Sequence, residues 1–228
     1  MTTLSFEISD AEPVTVEVTA LLNAGYAGRN QDEVRAHIDE LAELGVPAPT
    51  TTPALYPVAP YLAQQVDQVP VQHDRTSGEA EWAMVITGPA EDDVLITAAC
   101  DHTDRALEVH GVAWSKNAGP DVLGTQAWRL SDIVDHLDQI RIIARVGADR
   151  TVIQDSTFGA LLTPQYWLDV LRQRGEDRPG TVLISGTVAM TPGVDQFADW
   201  WEVELVDEVL GRSVSCGYRV VPMPAPIG

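Results

Sequence analysis

Two apolar runs joined by a short turn, WAMVIT and VLITAAC, are the feature that most constrains the fold of this 228-residue chain. Each run has the composition of a β-strand, and the segment GPAEDD between them is rich in turn-forming residues. We therefore predict an antiparallel strand pair. Glu79 and Glu81 alternate at the start of the first run, so their side chains leave the same face of the strand. Asp101 ends the second run, and the pairing would bring it close to both.

Three converging carboxylates repel one another unless a cation lies between them. Hard divalent ions such as Mg²⁺, Mn²⁺ and Ca²⁺ prefer oxygen ligands of this kind. Glu79, Glu81 and Asp101 are therefore a candidate divalent metal site, with Mg²⁺ as the expected ion and Mn²⁺ or Ca²⁺ as alternatives. A solvated acidic hairpin without any ion is the other interpretation of the same spacing.

Lys116 is the single lysine of the chain, against thirteen arginines. Because arginine fills the other basic positions, a retained lysine indicates a need for a compact ammonium group at this place. The alternative is that one residual lysine falls here by chance.

Composition and charge exclude several classes of partner. A formal net charge of −20 repels nucleic acids and anionic membranes, and the hydrophobic fraction of 45% is typical of a folded globule. The first residues lack the basic and apolar segments of a signal peptide, and no apolar run is long enough to span a bilayer. Cys100 and Cys216 cannot form a framework of several disulfides. We expect a soluble protein of the cytoplasm that binds neither nucleic acid nor membrane.

The remaining pattern predicts one domain, residues 1–228, that is mixed α/β and β-rich with a few helices on its outside. Residues 3–20 alternate in the manner of a β-hairpin, and the glycine-punctuated segment that follows, 21–30, reads as a loop. Asn30 can cap a helix over about 31–44, so that the hairpin and this helix fill roughly the first 50 residues. A second helix runs from Pro164, with Thr163 as its cap, to Gly175.

The first of these helices carries a second candidate constellation. His37 and Glu40 are one turn apart, so a carboxylate can hold the tautomer of the imidazole and raise its basicity. Such a pair suits a general base that acts on water, and a helix after a glycine-rich loop can close over a site as a lid. An ordinary histidine–glutamate pair on a helix surface is the alternative.

Taken in order, these motifs resemble the fumarylacetoacetate hydrolase superfamily, in particular a bacterial branch of it. The matching segments, which extend across residues 25 to 221, are GRN at 28–30, His37-x-x-Glu40, Glu79-x-Glu81, Asp101-x-Thr103-x-Arg105, Trp114 with Lys116, and PGTVLISGT with Gly186 and Thr187. The chain departs from the family pattern at five points. The spacing between GRN and His37 is longer than usual, and no tyrosine follows Asn30. The segment ALYPVAP lacks a lysine that the family commonly has, Glu108 replaces a glutamine, and Gly180–Thr181 replaces a Gly-Asp pair. These departures leave the metal site intact and concern residues near the substrate.

The resemblance implies a β-roll or sandwich with a few peripheral helices, a homodimer, and a metal-dependent hydrolase. Such an enzyme cleaves a carbon–carbon bond in a small 1,3-dicarbonyl or 2-oxo-acid, such as an acylpyruvate, through an enolate on the metal. The implied roles are metal binding by Glu79, Glu81 and Asp101, catalysis by His37, Glu40, Lys116 and Arg105, and substrate binding by Thr103, Gly186 and Thr187. A hydratase, decarboxylase or tautomerase on the same metal site is one alternative. A non-catalytic protein that binds a metal and an oxo-acid is another, against which the His37–Glu40 pair argues.

Overall fold

The computed structural model describes residues 2–9, 11–43 and 48–227, apart from the side chains of His37, Leu41 and Glu91. The strands in chain order are β1 Thr2–Ile8, β2 Val14–Val18, β3 Ala20–Gly25, β4 Ala54–Val58, β5 Ala63–Gln64, β6 Gln68–Val71, β7 Thr76–Ser77, β8 Ala80–Ile86, β9 Val94–Asp101, β10 Thr103–Asp104, β11 Asp121–Leu123, β12 Gln126–Arg129, β13 Arg141–Val146, β14 Thr151–Thr157, β15 Thr181–Ile184, β16 Trp200–Asp207 and β17 Arg212–Pro222. The α-helices are α1 Gln31–Glu43, α2 Val112–Lys116 and α3 Pro164–Arg174. Short 3₁₀ turns cover Pro60–Leu62, Glu91–Asp93, Glu108–His110, Leu130–Asp132, Val134–Gln139 and Phe158–Ala160.

The strands form one large sheet, one smaller sheet and a two-stranded ribbon. The large sheet has the strand order β2-β1-β12-β9-β8-β15-β3-β4, and β11 joins it by pairing with both β9 and β5. The five-stranded sheet has the order β14-β13-β16-β17-β6, and the ribbon pairs β7 with β10. This mixed α/β, β-rich architecture confirms the fold class predicted from the sequence.

Strands β8 and β9 are buried along their whole length on both faces. On one face, Trp82 and Ile96 join a core shared with the five-stranded sheet, to which that sheet contributes Trp201. On the other face, Val85 and Leu95 join a second core. This second core also contains residues of β1 and β3 from opposite parts of the large sheet, so the sheet is curled around it. We call the face of the large sheet that lines this second core the inner face.

Helix α3 begins and ends where the sequence predicts. The Thr163 side chain accepts a hydrogen bond from the Tyr166 amide at 3.1 Å, Pro164 occupies the first turn, and Gly175 ends the helix with φ of 66°. The buried face of α3 carries Trp167 and Leu171, which pack into the core between the sheets. Both caps therefore follow from local chemistry, since proline suits the first turn and glycine accepts a left-handed backbone.

The N-terminal segment agrees with the sequence in part. β1 and β2 form the predicted hairpin, and Asn30 caps α1 by accepting a hydrogen bond from the Asp32 amide at 3.1 Å. The predicted helix end at Leu44 and Gly45 lies outside the described residues. The prediction of a loop for residues 21–30 is wrong over its first half, because residues 20–25 form β3, a strand between β15 and β4. Burial by two neighbouring strands outweighs the weak strand propensity of Asn23 and Gly25.

None of the helices in the described residues is both long enough and apolar enough to cross a membrane.

Candidate metal and substrate site

Three carboxylates meet where β8 begins and β9 ends, as the sequence predicts. Glu81 lies in β8, Glu79 immediately precedes that strand, and Asp101 ends β9. The antiparallel register places Ala80 opposite Cys100, and the Asp101 amide donates to the Glu79 carbonyl at 3.1 Å. One oxygen from each carboxylate lies within 4.8 Å of the other two. The three groups can therefore hold one ion together.

Lys116 stands at the end of α2 with its ammonium group among these carboxylates. Its Nζ donates to Glu79 Oε2 at 3.2 Å and to Asp101 Oδ2 at a shorter distance. Burial lowers the pKa of Lys116, but Asp101 and Glu79 outweigh burial and hold that pKa well above its ordinary value. The lysine is thus a buried cation that neutralises two members of the cluster.

Arg105 supports the same cluster from the side of β10. It donates to Glu79 Oε1 at 2.9 Å, to Glu108 Oε1 at 3.0 Å and to Ser77 Oγ at 2.7 Å. Burial raises the pKa of Glu79, yet Lys116 and Arg105 together lower it to about 2. Glu108, which the sequence placed near the substrate, is therefore an ion-pair partner of Arg105.

Glu81 is the member of the cluster that forms no ion pair with the part of the chain that the structure describes. Its side chain is fully buried, and Oε2 accepts a hydrogen bond from the Gly186 amide. Its other oxygen, Oε1, has no hydrogen-bond partner in the described part of the chain. Burial and the Asp101 and Glu79 charges raise the pKa of Glu81 well above its usual value, against the opposing effect of Lys116. A buried carboxylate oxygen without a partner, beside two further carboxylates, fits a divalent cation.

Two buried residues at this site, Asn23 and Asp121, are missing from the sequence prediction. Asn23 Nδ2 lies 3.1 Å from Asp101 Oδ2 and 3.0 Å from Asp121 Oδ1. Asp121 is directly opposite Asp101 in the pairing of β11 with β9. Burial and the nearby Asp101 raise the pKa of Asp121 well above its usual value. An asparagine and an aspartate inside otherwise apolar segments, LLNAG and PDVLG, are the signal that could have identified them.

Two tyrosines face the same cluster. Tyr56 of β4 is opposite Asn23 of β3, and therefore lies on the inner face of the sheet. A Cβ atom on Gly25 would lie 2.6 Å from the ring of Tyr56, so the ring requires a glycine there. Tyr26 follows β3 with φ of 56°, and its charge interactions include Glu79, Glu108 and Lys116. Tyr56 lies in the segment ALYPVAP, which lacks the lysine that the resembled family commonly has there.

Both phenols keep their protons at neutral pH. Burial raises the pKa of Tyr26 to about 12, and Tyr56 and Glu108 add to that effect. Burial also raises the pKa of Tyr56, against the opposing effect of Lys116. The two hydroxyl groups can therefore donate hydrogen bonds beside the carboxylate cluster.

Of the three predicted substrate residues, Thr103 and Gly186 contact the carboxylate cluster directly. Thr103 Oγ1 donates to Asp101 Oδ1 at 3.2 Å, and Gly186, with φ of 84°, binds Glu81 through its amide. Thr187 Oγ1 donates to the Ala80 carbonyl at 3.0 Å and accepts from Gln154 Nε2 at 2.8 Å. Their contact with substrate stays a prediction.

The His37–Glu40 pair cannot be placed relative to the cluster. Glu40 is an exposed residue of α1, whereas the side chain of His37 lies outside the described residues. His102, which follows Asp101 in the chain, points away from the carboxylate cluster. Its ring nitrogens lie 2.8 Å from the Tyr218 hydroxyl and 3.0 Å from Thr76 Oγ1, and burial lowers its pKa to about 4.

The fold and this carboxylate site define a class of protein, and comparisons with known proteins support that class. Fumarylpyruvate hydrolase from Pseudomonas aeruginosa, solved in complex with Mn²⁺ and pyruvate, has a TM-score of 0.66 at 19% identity, over 98% of this chain and 97% of that chain. A 2-keto-3-deoxy-D-arabinonate dehydratase complexed with magnesium and 2,5-dioxopentanoate has a TM-score of 0.63 at 16% identity, over 96% and 79% of the two chains. The 5-carboxymethyl-2-hydroxymuconate delta-isomerase from Mycobacterium smegmatis has a TM-score of 0.58 at 21% identity, over 92% and 81%. The chain shares the fold of these proteins, in agreement with the fold that the resemblance seen in the sequence implies.

Within that fold, residues 24–218 match the model of one family, a protein of unknown function (DUF2848). The chain belongs to the DUF2848 family. No curated protein matches the sequence.

Proposed function

We propose that this protein is a metal-dependent hydrolase that cleaves a carbon–carbon bond in a small 1,3-dicarbonyl or 2-oxo-acid of the acylpyruvate kind. The observation that carries the proposal is the buried Glu81 Oε1, which has no partner among the described residues and lies close to the Glu79 and Asp101 carboxylates. Glu79, Glu81 and Asp101 would hold the ion, for which we propose Mg²⁺. When bound, the ion supplies a Lewis acid that favours the enolate form of the substrate.

Lys116 and Arg105 provide the positive charge that an anionic substrate and its developing oxyanion need. The Tyr26 and Tyr56 hydroxyls are further hydrogen-bond donors for the substrate, and Thr103, Gly186 and Thr187 would contact it as well. Tyr56 also lines a cavity of about 690 Å³ whose walls include Leu55, Trp114 and Tyr166. This cavity gives room for the part of the substrate beyond its oxo-acid end.

His37, oriented by Glu40, takes the proton of the attacking water in this proposal. We expect Glu40→Gln to lower turnover more than substrate affinity, because the shape is kept while the base is weakened. His37→Ala should lose at least as much turnover, and the double variant hardly more, because the two residues act as one unit. The measurement is a double-mutant cycle on kcat and KM.

Mn²⁺ affinity is the control for this cycle and should be the same in all three variants. Additive losses would show that the residues do not act as a pair. Turnover of His37→Ala at the parent rate would remove the base from the mechanism and favour a reaction without hydrolysis.

A hydratase, decarboxylase or tautomerase on the same site is the second candidate. It is favoured by the names of the structurally similar proteins, which include a dehydratase and an isomerase besides a hydrolase. The discriminating experiment incubates the protein with a panel of acylpyruvates and 2-oxo-acids, with Mg²⁺ or Mn²⁺ and then with a chelator. Pyruvate and a free carboxylic acid in equal amounts indicate hydrolysis. A product of unchanged mass, of a mass shifted by one water, or of a mass lower by one CO₂ indicates the second candidate. Product formation without a metal ion contradicts both enzyme candidates. Measurable binding of an oxo-acid without formation of any product favours an oxo-acid binding protein.

We also propose a homodimer in the cytoplasm. The assembly is measured by light scattering of the purified protein, for which twice the chain mass of 24.7 kDa is expected.

A further inference from the structure

The Asn23 amide lies between two buried carboxylates that belong to different strands. Its nitrogen is 3.1 Å from Asp101 Oδ2 and 3.0 Å from Asp121 Oδ1, so both of its N–H bonds are used. The three side chains are at most 1% exposed. Three strands, β3, β9 and β11, are therefore joined through one amide group.

This arrangement lowers the stability of the folded state. Asn23 Oδ1 and Asp121 Oδ2 have no hydrogen-bond partner among the described residues, and both atoms are buried. Buried polar atoms without partners destabilise the folded state, and apolar side chains of similar shape often replace such groups without loss. The pairing of β11 with β5 and β9 uses backbone groups only and does not require a carboxylate at position 121. A function other than folding explains the pair better.

The contacts of Asp101 indicate what that function is. Oδ2 accepts from Asn23 and from Lys116, and Oδ1 accepts from Thr103 at 3.2 Å. Of these donors, Lys116 also donates to Glu79, so its position depends on the carboxylate cluster itself. Asn23 is held from outside that cluster, because its second N–H bond goes to Asp121.

We propose that Asn23 and Asp121 are positioning residues that fix the Asp101 carboxylate for the divalent ion, an inference that rests on the proposed metal site. Asp121 accepts one N–H bond and thereby orients the amide, and the amide directs its other N–H bond at Asp101 Oδ2. The carboxylate is then held in one orientation before the ion arrives. Outer contacts of this kind typically change metal affinity by about 10–100-fold.

In the experiment, metal-stripped protein is titrated with Mn²⁺, and electron paramagnetic resonance and calorimetry measure the binding. No substrate is needed. Asp121→Leu and Asn23→Leu should each weaken Mn²⁺ binding by about tenfold or more. Asp121→Asn keeps an oxygen acceptor for Asn23 and should stay close to the parent. The metal-free double leucine variant should melt no lower than the parent, because both unpartnered oxygens are removed. Asn23→Ala, which adds no bulk, repeats the affinity measurement should a leucine variant not fold.

Asp207→Asn is the matched control, because Asp207 is a buried carboxylate outside the cluster. It accepts from the Val209 and Leu210 amides at 3.1 Å and from Arg212 at 3.2 Å. Its substitution should lower the melting temperature and leave Mn²⁺ affinity unchanged.

Parent Mn²⁺ affinity in Asp121→Leu or Asn23→Ala would overturn the positioning role while leaving the metal site in place. An Asp121→Asn protein as weak as Asp121→Leu would overturn the role of the oxygen acceptor. A parent protein that binds no Mn²⁺ would instead overturn the proposed metal site itself, and the positioning role with it.

Discussion

Lys116→Met should lower the melting temperature of the metal-free protein by on the order of 10 °C. The substitution leaves Glu79 and Asp101 without the ammonium that neutralises them, and breaking a buried pair from one side costs about 3–5 kcal/mol. For a chain of this size each kcal/mol corresponds to about 2–4 °C. Mn²⁺ at about a thousand times its Kd stabilises the folded state by about 4 kcal/mol and should therefore restore most of the lost melting temperature. The measurement is calorimetric melting with and without Mn²⁺.

The same variant should lose at least about 100-fold in turnover, because one donor to a developing oxyanion typically contributes that much. Its Mn²⁺ affinity should equal or exceed that of the parent, since the ammonium no longer competes for the carboxylates. Arg172→Met is the control for loss of a basic side chain. Arg172 is exposed and contacts Asp169 at 3.1 Å, so its loss should cost less than about 1 kcal/mol. An unchanged metal-free melting temperature in Lys116→Met would show that the buried ion pair does not stabilise the fold.

Glu81→Gln should weaken Mn²⁺ binding by more than about 100-fold, because it removes one of three anionic ligands from a hard-cation site. The same change should raise the melting temperature of the metal-free protein. The glutamine oxygen can still accept the Gly186 amide, whereas the cost of burying a carboxylate beside Asp101 and Glu79, about 1–3 kcal/mol or more, is gone. Opposite signs for metal affinity and metal-free stability are the signature of a functional carboxylate.

Glu204→Gln is the control for Glu81→Gln. Glu204 lies on the five-stranded sheet and contacts Arg145 at 3.0 Å, so its substitution should leave Mn²⁺ binding unaltered. Calorimetric titration of both metal-stripped variants decides the assignment. Glu81→Gln with the Mn²⁺ affinity of the parent would remove the carboxylate cluster as the metal site.

The carboxylate cluster was predictable because it depends on local rules. Alternation along a strand puts Glu79 and Glu81 on one face, and the turn between β8 and β9 brings Asp101 beside them. Lys116 followed from composition, since it is the single lysine of the chain. The ordered motifs added the expected fold, which the structure shares with the proteins that it resembles.

The missed residues depend on contacts that are distant in sequence. Asn23 reaches Asp101 across 78 positions and Asp121 across 98, because the large sheet curls until β3 faces β9 and β11. The glycines and the asparagine of residues 21–30 indicate a loop when only the local sequence is considered. Residues 21–25 form a strand because they are buried between β15 and β4. Tyr56 was missed for the same reason, because its direction depends on the pairing of β4 with β3.

The double burial of β8 and β9 has a consequence for how proteins with this fold diverge. Neither strand has a face in contact with solvent, so a change of volume at almost any position disturbs one of two cores and must be compensated by a neighbour. Helix α1 is different, because Val34 is the buried residue among its described side chains. Inheritance therefore constrains the strands that carry the carboxylates and leaves the helix that carries His37 and Glu40 free to change. The carboxylate cluster can in this way be kept while the residues of the helix change.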